Sequence, residues 1–390
     1  MPKLFEVFIV FLRLGFTSFG GPIAHLGYFH DEFVARRKWI DEHSYADLVA
    51  LCQFLPGPAS SQVGISLGLS RAGIMGAIIA WVGFTLPSAI LLVLFGLGVS
   101  KFNSHINSSF LHGLKVAAVA VVAQAIWGMA AKLCPDKKRA TIAVAASILV
   151  SLISSAWIQV GVIILSGVWG WFFLKSYTEL PHIPIKTNLS KKAGTVSLVI
   201  FFALILILPF AARTTDLQTV KYFDSFFRAG SLVFGGGHVV LPLLQSEVVP
   251  TGWVSNEAFM TGYGAAQAIP GPLFTFTAYL GAVSQMEPSG WLGAGICLLA
   301  AFLPSFLLVI GAIPFWEQLR RHEKVRYSMQ GINAAVVGLL LAAFYNPVWT
   351  SAILSPKDFS LALAAFLLLT FWKTPSWAVV MMLSVVTSIT

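Results

Sequence analysis

The sequence predicts an all-α polytopic membrane protein built from two homologous halves, and two observations lead to this fold class. The first is composition: of 390 residues, 57% are apolar and only 11% are charged, whereas a soluble domain carries about 25% charged residues. The second is an internal repeat of Gly-rich and Pro-rich motifs. The net charge of +9 comes from short Lys and Arg clusters between apolar runs. Such clusters are typical of cytoplasmic loops and argue against nucleic-acid binding.

The apolar runs predict three blocks of sequence, because a helix of about 20 residues spans a bilayer. We expect an N-terminal repeat at 1–174, a linker with one extra segment at 175–222, and a C-terminal repeat at 223–390. The predicted segments are 5–27, 45–69, 73–99, 110–133, 140–154 and 156–174, then 195–212, then 223–249, 257–281, 289–315, 329–345, 359–373 and 375–389. The chain is therefore predicted to cross the membrane thirteen times.

The repeat is visible in motifs that recur in the same order in both halves. FLRLGFTSFGG at 11–21 matches FFRAGSLVFGG at 226–236 with an offset of 215. With an offset of 214, the Pro-Gly-Pro at 56–58 matches that at 270–272, and Leu-Pro-Ser at 86–88 matches 303–305 further on. Several identities that occur in the same order, at nearly the same offset, indicate duplication.

The parity of the segments predicts that the two halves are inverted relative to each other. Six crossings return the chain to its starting side, and the extra segment then starts the second half from the opposite side. Positive-inside counting favours thirteen crossings, although Arg36, Arg37 and Lys38 then lie on the outer side. The alternative is that both Pro-Gly-Pro segments are re-entrant.

Broken or re-entrant helices are predicted at the Gly-rich and Pro-Gly-Pro motifs. Glycine and proline permit a helix break, and the half-helix that follows presents free N–H donors and a partial positive charge to an anion. Close packing of helices through small residues, or plain loops, would explain the same motifs. The predicted break and ligand-binding positions are Gly20, Gly21, Gly235, Gly236, Gly237, Pro56, Gly57, Pro58, Pro270, Gly271 and Pro272.

Three cations inside apolar segments are candidate substrate-binding residues. Arg13 and Arg228 occupy matching positions, and the planar guanidinium suits a tetrahedral oxyanion. Lys115 opens another apolar segment. The alternative for all three is that the side chain extends to the membrane surface.

Other polar residues near the motifs are candidates for substrate binding or proton coupling. Glu32, Glu247 and His25 are the proton-coupling candidates; solvated loop acids and a structural histidine are the alternatives. The further substrate-binding candidates are His238, Gln53 and Gln267. No metal-ligand or catalytic motif is found, so we expect no cofactor and no enzymatic activity.

The segments GFTSFGGPIAHLGYFHDEF and FLPGPASSQVG, with LVFGGGHVVLPLL and AIPGPLFTFTAYLG, resemble the chromate ion transporter family in its two-domain form. The resemblance extends from about Phe5 to the C-terminus. It implies a multi-pass protein of a prokaryotic cytoplasmic membrane that exports chromate, coupled to the proton motive force or to anion exchange with sulfate. Sulfate or other oxyanion uptake and an intramembrane reductase are the alternatives. The expected partners are chromate, sulfate, membrane lipids and a second copy of the chain.

Overall fold

The computed structural model describes residues 2–101, 108–153, 155–175, 189–234, 237–319 and 322–389, which form helices joined by loops and contain no strands. In chain order the helices are α1 (Pro2–Thr17), α2 (Gly21–Phe29), α3 (Glu42–Phe54), α4 (Ala59–Lys101), α5 (Ser108–Leu133), α6 (Lys137–Leu152), α7 (Ala156–Phe173), α8 (Lys191–Thr214), α9 (Gln218–Ser231), α10 (Val240–Val248), α11 (Asn256–Ala268), α12 (Phe276–Ala282), α13 (Gly290–Ala312), α14 (Trp316–Leu319), α15 (Glu323–Ala343), α16 (Thr350–Ala352), α17 (Pro356–Thr370) and α18 (Ser376–Ile389). Five of these stretches are long and apolar enough to span a membrane: Ala59–Lys101, Ser108–Leu133, Lys191–Thr214, Gly290–Phe315 and Glu323–Ala352.

The first two predicted segments fold as hairpins whose ends return to one face of the molecule. Hairpin 1 is α1 followed by α2 with its π-helical extension His30–Arg36; hairpin 2 is α3 followed by α4 up to the break at Ala72 and Gly73. Glu6, at the start of hairpin 1, pairs with Arg37 at its end (2.8 Å) and with Arg71 at the end of hairpin 2 (2.9 Å). We call the end of the molecule with these three residues the basic face.

The second half repeats the arrangement. Hairpin 3 is α9 and α10, and hairpin 4 is α11 and α12. Near the start of hairpin 3, the Tyr222 hydroxyl donates to the Met286 carbonyl just after hairpin 4 (2.7 Å). Between the two hairpins, the Trp253 carbonyl accepts from the Gln285 amide (2.8 Å). These residues define the opposite face.

The two halves are inverted, as predicted. α13 leaves the opposite face and leads to Trp316, whose Nε1 donates to Asp47 near the start of α3 (3.1 Å). α4 runs the other way, and Gly96 near its end lies against Val283. Hairpins 1 and 2 therefore open to the basic face and hairpins 3 and 4 to the opposite face, which places a pseudo-two-fold axis in the membrane plane.

The prediction of thirteen crossings is wrong. It treated each Gly-rich and Pro-Gly-Pro segment as one crossing, whereas each forms a hairpin that enters and leaves at the same face. Hydropathy cannot distinguish a hairpin from a crossing, because two short apolar arms together have the hydropathy of one long span. The halves remain inverted, because an odd number of crossings still separates them.

Glycine makes the sharp reversals possible. Gly20 (φ 97°) and Gly21 (φ 75°) separate α1 from α2, and Gly57 (φ 124°) and Gly271 (φ 100°) lie within the Pro-Gly-Pro turns. L-residues with a Cβ rarely adopt these conformations. The expected breaks at these positions are present, while Gly235 and Gly236 lie outside the described residues.

The helices form two bodies. The core body contains the four hairpins, the rest of α4, α8 and α13, with α1 packed along α4 and α9 along α13. The bundle contains α5, α6, α7, α15, α17 and α18, with α15 packed on α6 and α7, and α5 on α17 and α18.

Candidate functional site

The tips of the four hairpins meet at the centre of the core body through two matched hydrogen bonds. The Gly57 amide donates to the Val233 carbonyl (2.7 Å), and the Gly271 amide donates to the Ser18 carbonyl (2.9 Å). Ser18 and Val233 occupy equivalent positions at the repeat offset of 215, and the two glycines are equivalent at 214. Each Pro-Gly-Pro turn is thus held by the Gly-rich tip of the other half.

Two further contacts complete the convergence. A Cβ on Gly237 would lie 3.2 Å from the Pro22 ring and 3.9 Å from the Leu273 side chain. The tips of hairpins 1, 3 and 4 therefore touch. The described residues of the Gly-rich and Pro-Gly-Pro motifs therefore lie close together at the centre of the core body.

The Leu-Pro-Ser motifs also meet the tips across the boundary between the halves. A Cβ added to Gly57 would lie 2.8 Å from Ser305 Oγ, and one added to Gly271 would lie 2.7 Å from Ser88 Oγ. Sequence reasoning used these motifs only as evidence of duplication. Their recurrence beside Pro inside two apolar segments was the signal that could have marked Ser88 and Ser305 as site residues.

Several buried hydroxyls around the tips have no hydrogen-bond partner within the described part of the protein. These are the hydroxyls of Ser18 (0% exposed), Ser61 (2%), Thr85 (2%) and Ser305 (0%). A buried hydroxyl without a partner costs about 1–3 kcal/mol, so such groups are rare unless they bind something. They are donors suited to the oxygens of an anion.

The helix N-termini add positive potential. The second arms of hairpins 1, 2 and 3 all begin at the tips, at Gly21, Ala59 and Gly237. No side chain caps the N-terminus of α2, so its first-turn amides lack a side-chain acceptor. N–H groups and dipoles at such ends attract anions.

Two histidines flank the tips. His25 is buried, with Nε2 3.1 Å from the Ser18 carbonyl and Nδ1 3.3 Å from Ser60 Oγ. Because a carbonyl only accepts, Nε2 carries the proton and donates to Ser18. His238 Nδ1 lies 2.9 Å from the Tyr263 hydroxyl. His25 thus joins the tips of hairpins 1 and 2, and His238 joins the tip of hairpin 3 to α11.

The predicted arginines are not equivalent. Arg228 is 8% exposed and donates to Asp224 (2.7 Å) and to Glu247, while its guanidinium lies over the Trp157 ring. Arg13, at the matching position, lies on an exposed stripe of α1. Neither guanidinium lies among the residues described above at the tips. The Arg228 guanidinium forms ion pairs with the carboxylates of Asp224 and Glu247.

The other predicted residues also lie in different surroundings. Lys115 Nζ lies 3.5 Å from Glu257 towards the opposite face. Glu32 pairs with Arg36 and Arg37 at the basic face, in an ion-pair network away from the tips. Gln53 and Gln267 precede the Pro-Gly-Pro turns, Gln53 exposed and Gln267 buried.

Comparison with known proteins places the chain among transporters. A family model described as chromate transporter matches residues 5–171 and 220–389, which confirms two homologous halves. A probable chromate transport protein of Synechococcus elongatus is 25% identical over 354 residues, covering 85% of this chain and 81% of the relative. Chromate transport proteins of Cupriavidus metallidurans and Pseudomonas aeruginosa are 26% and 25% identical. They match 94% and 97% of this chain over 88% and 90% of their own lengths. No solved structure matches the chain.

Proposed function

The chain belongs to the chromate transporter family, and we propose from this premise that it exports chromate through the meeting point of its four hairpin tips. Chromate is a tetrahedral dianion that presents four acceptor oxygens. The observation that supports a site for it is the group of partnerless buried hydroxyls of Ser18, Ser61, Thr85 and Ser305 beside helix N-termini.

Uncharged donors suit a transported ion better than a permanent pair with arginine. Dehydrating a dianion is costly, so a site must offer many donors. Hydroxyls and backbone amides can do so without a fixed counter-charge that would hold the ion tightly. Transport requires binding weak enough for release. We therefore assign the binding role to the tips and not to Arg13, Arg228 or Lys115.

The proposed coupling element is the buried cluster of Asp224, Arg228 and Glu247. Two carboxylates surround one guanidinium, which leaves one excess negative charge when both are ionised. Uptake of one proton neutralises the cluster, and a neutral cluster lowers the electrostatic cost of an approaching dianion. Chromate binding and protonation of the cluster would then favour each other, so that chromate and a proton move in the same direction, with Glu247 carrying the proton.

The distribution of basic residues supports an orientation with the basic face in the cytoplasm. Lys101, Arg213, Lys221 and Lys357 lie towards the opposite face. Towards the basic face lie Lys3, Arg36, Arg37, Lys38, Arg71, Lys132, Lys137, Lys138, Arg139, Lys175, Lys191, Lys192, Lys324 and Arg326. The hairpins thus bring Arg36, Arg37 and Lys38 to the side that positive-inside bias requires. Together with the bacterial origin of the relatives, this orientation supports our proposal that the protein lies in the cytoplasmic membrane of a prokaryote.

Anion flux in proteoliposomes tests the proposal. Purified protein is reconstituted, and uptake of labelled chromate is followed with and without a pH gradient. We expect saturable chromate flux that the gradient accelerates. Glu247→Gln should still bind chromate but respond less to the gradient. Absence of chromate flux from correctly inserted protein would refute the proposal.

Sulfate exchange is the second candidate, because sulfate offers the same tetrahedron of acceptor oxygens to the same donors. Counterflow distinguishes the two. Vesicles loaded with sulfate should accelerate chromate entry if the site exchanges the two anions. If sulfate moves and chromate does not, sulfate is the substrate.

A further inference from the structure

Equivalent helices of the two halves have very different exposure. On α11, the stripe Met260, Tyr263, Gly264 and Gln267 is buried. On α3, the equivalent stripe is Ala46, Val49, Ala50 and Gln53, in which Ala46 and Gln53 are exposed and the other two are half-buried. Both stripes follow the i, i+3, i+4, i+7 spacing of one helix face. This homologous helix face is therefore buried in the second half and largely accessible in the first.

The bundle provides the cover in the second half. A Cβ on Gly264 would collide with the backbone of Leu114 in α5, so α11 and α5 pack backbone to backbone there. Ser376 of α18 donates to the Gln267 carbonyl (3.3 Å), and Lys115 of α5 reaches Glu257 at the start of α11 (3.5 Å).

The first half lacks this cover. The equivalent of α5 is α15, since Gly113 matches Gly331 at an offset of 218. In the described parts of both helices, α3 has no packing on α15 comparable with that of α11 on α5. α3 instead packs within the core body, where Phe54 and Asp47 contact Trp316.

Hairpins 1 and 3 show the same difference. α10 packs on α15 and α7, where Gln159 donates to the Pro242 carbonyl (3.3 Å). At the offset of 215, Pro242 and Leu243 correspond to Gly27 and Tyr28, which are exposed. The core body therefore meets the bundle mainly through hairpins 3 and 4, while the corresponding surfaces of hairpins 1 and 2 are free along the basic face.

From this we infer that the structure is the state in which hairpins 3 and 4 dock on the bundle and hairpins 1 and 2 do not, and that transport moves the core body so that α3 docks on α15 while α11 leaves α5. Homologous surfaces have inherited the same complementarity, so the contacts of one half predict those of the other. In the other state the contact between Lys115 and Glu257 is broken, and the equivalent residues, Asn333 and His43, come together. The inference rests on the proposed transport function but not on which anion is moved.

Disulfide trapping tests the exchange of contacts. In a chain whose three free cysteines, Cys52, Cys134 and Cys297, are replaced by alanine, two double-cysteine variants are made. The pair Lys115→Cys with Glu257→Cys reports the present state. The pair His43→Cys with Asn333→Cys reports the opposite state. Ser44→Cys with Asn333→Cys is the matched control, because the Ser44 side chain is turned towards Asp41.

We expect both reporting pairs to form disulfides in membranes under oxidation, the control to form little, and each disulfide to stop flux until it is reduced. Single-cysteine labelling gives a second measurement. Ala46→Cys should react with an impermeant maleimide from the basic face, and Met260→Cys from the opposite face, to which only the other state exposes it.

The outcomes separate this inference from the proposed substrate. If flux occurs while His43→Cys with Asn333→Cys bridges no faster than the control and Met260→Cys stays unlabelled, the inference is overturned. If the disulfides and labelling behave as expected but chromate is not carried, the inference stands and the substrate assignment fails. A variant that carries no anion is judged by the labelling alone: Met260→Cys reactivity from the opposite face supports the exchange, and its absence with every oxyanion tried contradicts it.

Discussion

The Gly57 amide donates to the carbonyl of Val233 across the boundary between the two halves, at 2.7 Å. The equivalent bond joins Gly271 to Ser18. Because each half supplies a donor to the other, the central site exists only when both halves are folded together. This reciprocity is the basis of the first prediction.

Gly57→Ala should destabilise the protein more than Gly252→Ala does. Both glycines have positive φ (124° and 73°), and a Cβ in the left-handed region costs about 1–2 kcal/mol. Gly252 has open space around it, whereas a Cβ on Gly57 meets Ser305 Oγ at 2.8 Å. Thermal unfolding in detergent gives the comparison. Equal losses of stability in the two variants would show that the hairpin tip can relax around the added Cβ.

Ser305→Ala and Ser18→Ala should weaken anion binding without loss of stability. Neither hydroxyl bonds to another group in the described protein, so folding loses no hydrogen bond. A hydrogen bond to an anion contributes about 1.5–3 kcal/mol, which corresponds to roughly 10- to 150-fold in affinity. The measurement is the apparent affinity for chromate in the flux assay.

Ser197→Ala is the matched control for these hydroxyls. Its Oγ is buried and donates to the Leu307 carbonyl (2.9 Å). This variant should lose about 1 kcal/mol of stability and keep its chromate affinity. If instead Ser305→Ala and Ser18→Ala lose stability and keep their chromate affinity, these two hydroxyls contribute to packing and not to anion binding.

Arg228→Gln should unfold more readily than Arg13→Gln. Removing Arg228 leaves Asp224 and Glu247 buried without a cation, which costs about 3–5 kcal/mol. Arg13 is exposed and its loss should change stability little. Adding Asp224→Asn and Glu247→Gln to Arg228→Gln should restore much of the lost stability. No recovery in the triple variant would mean that Arg228 acts through packing on Trp157.

Lys38→Cys and Lys138→Cys should be labelled by an impermeant maleimide from the same side of the membrane, and Asp216→Cys from the other. Lys38 follows hairpin 1 and lies with Lys138 towards the basic face. Thirteen crossings would put Lys38 on the side of Asp216. Labelling in right-side-out and inverted vesicles, each in the cysteine-free background, distinguishes these topologies.

The sequence determined the class of protein, the duplication and the inversion of the halves. These are properties of composition and of motif order: apolar runs must be buried in lipid or protein, and matched Gly20 and Pro-Gly-Pro motifs must break matched helices. The breaks at Gly20, Gly21, Gly57 and Gly271 were predicted correctly because a positive φ at glycine is a local property.

Only the tertiary structure decided how the broken segments fold and which polar groups meet. A hairpin and a crossing have the same hydropathy, so the Glu6 pairs with Arg37 and Arg71 were needed to show that the chain turns back. The matching positions of Arg13 and Arg228 suggested one role, yet one is exposed and the other is neutralised by Asp224 and Glu247, because their surroundings come from helices distant in sequence. That the hydroxyls of Ser18 and Ser305 are buried and have no partner among the described residues can likewise be seen only in the structure.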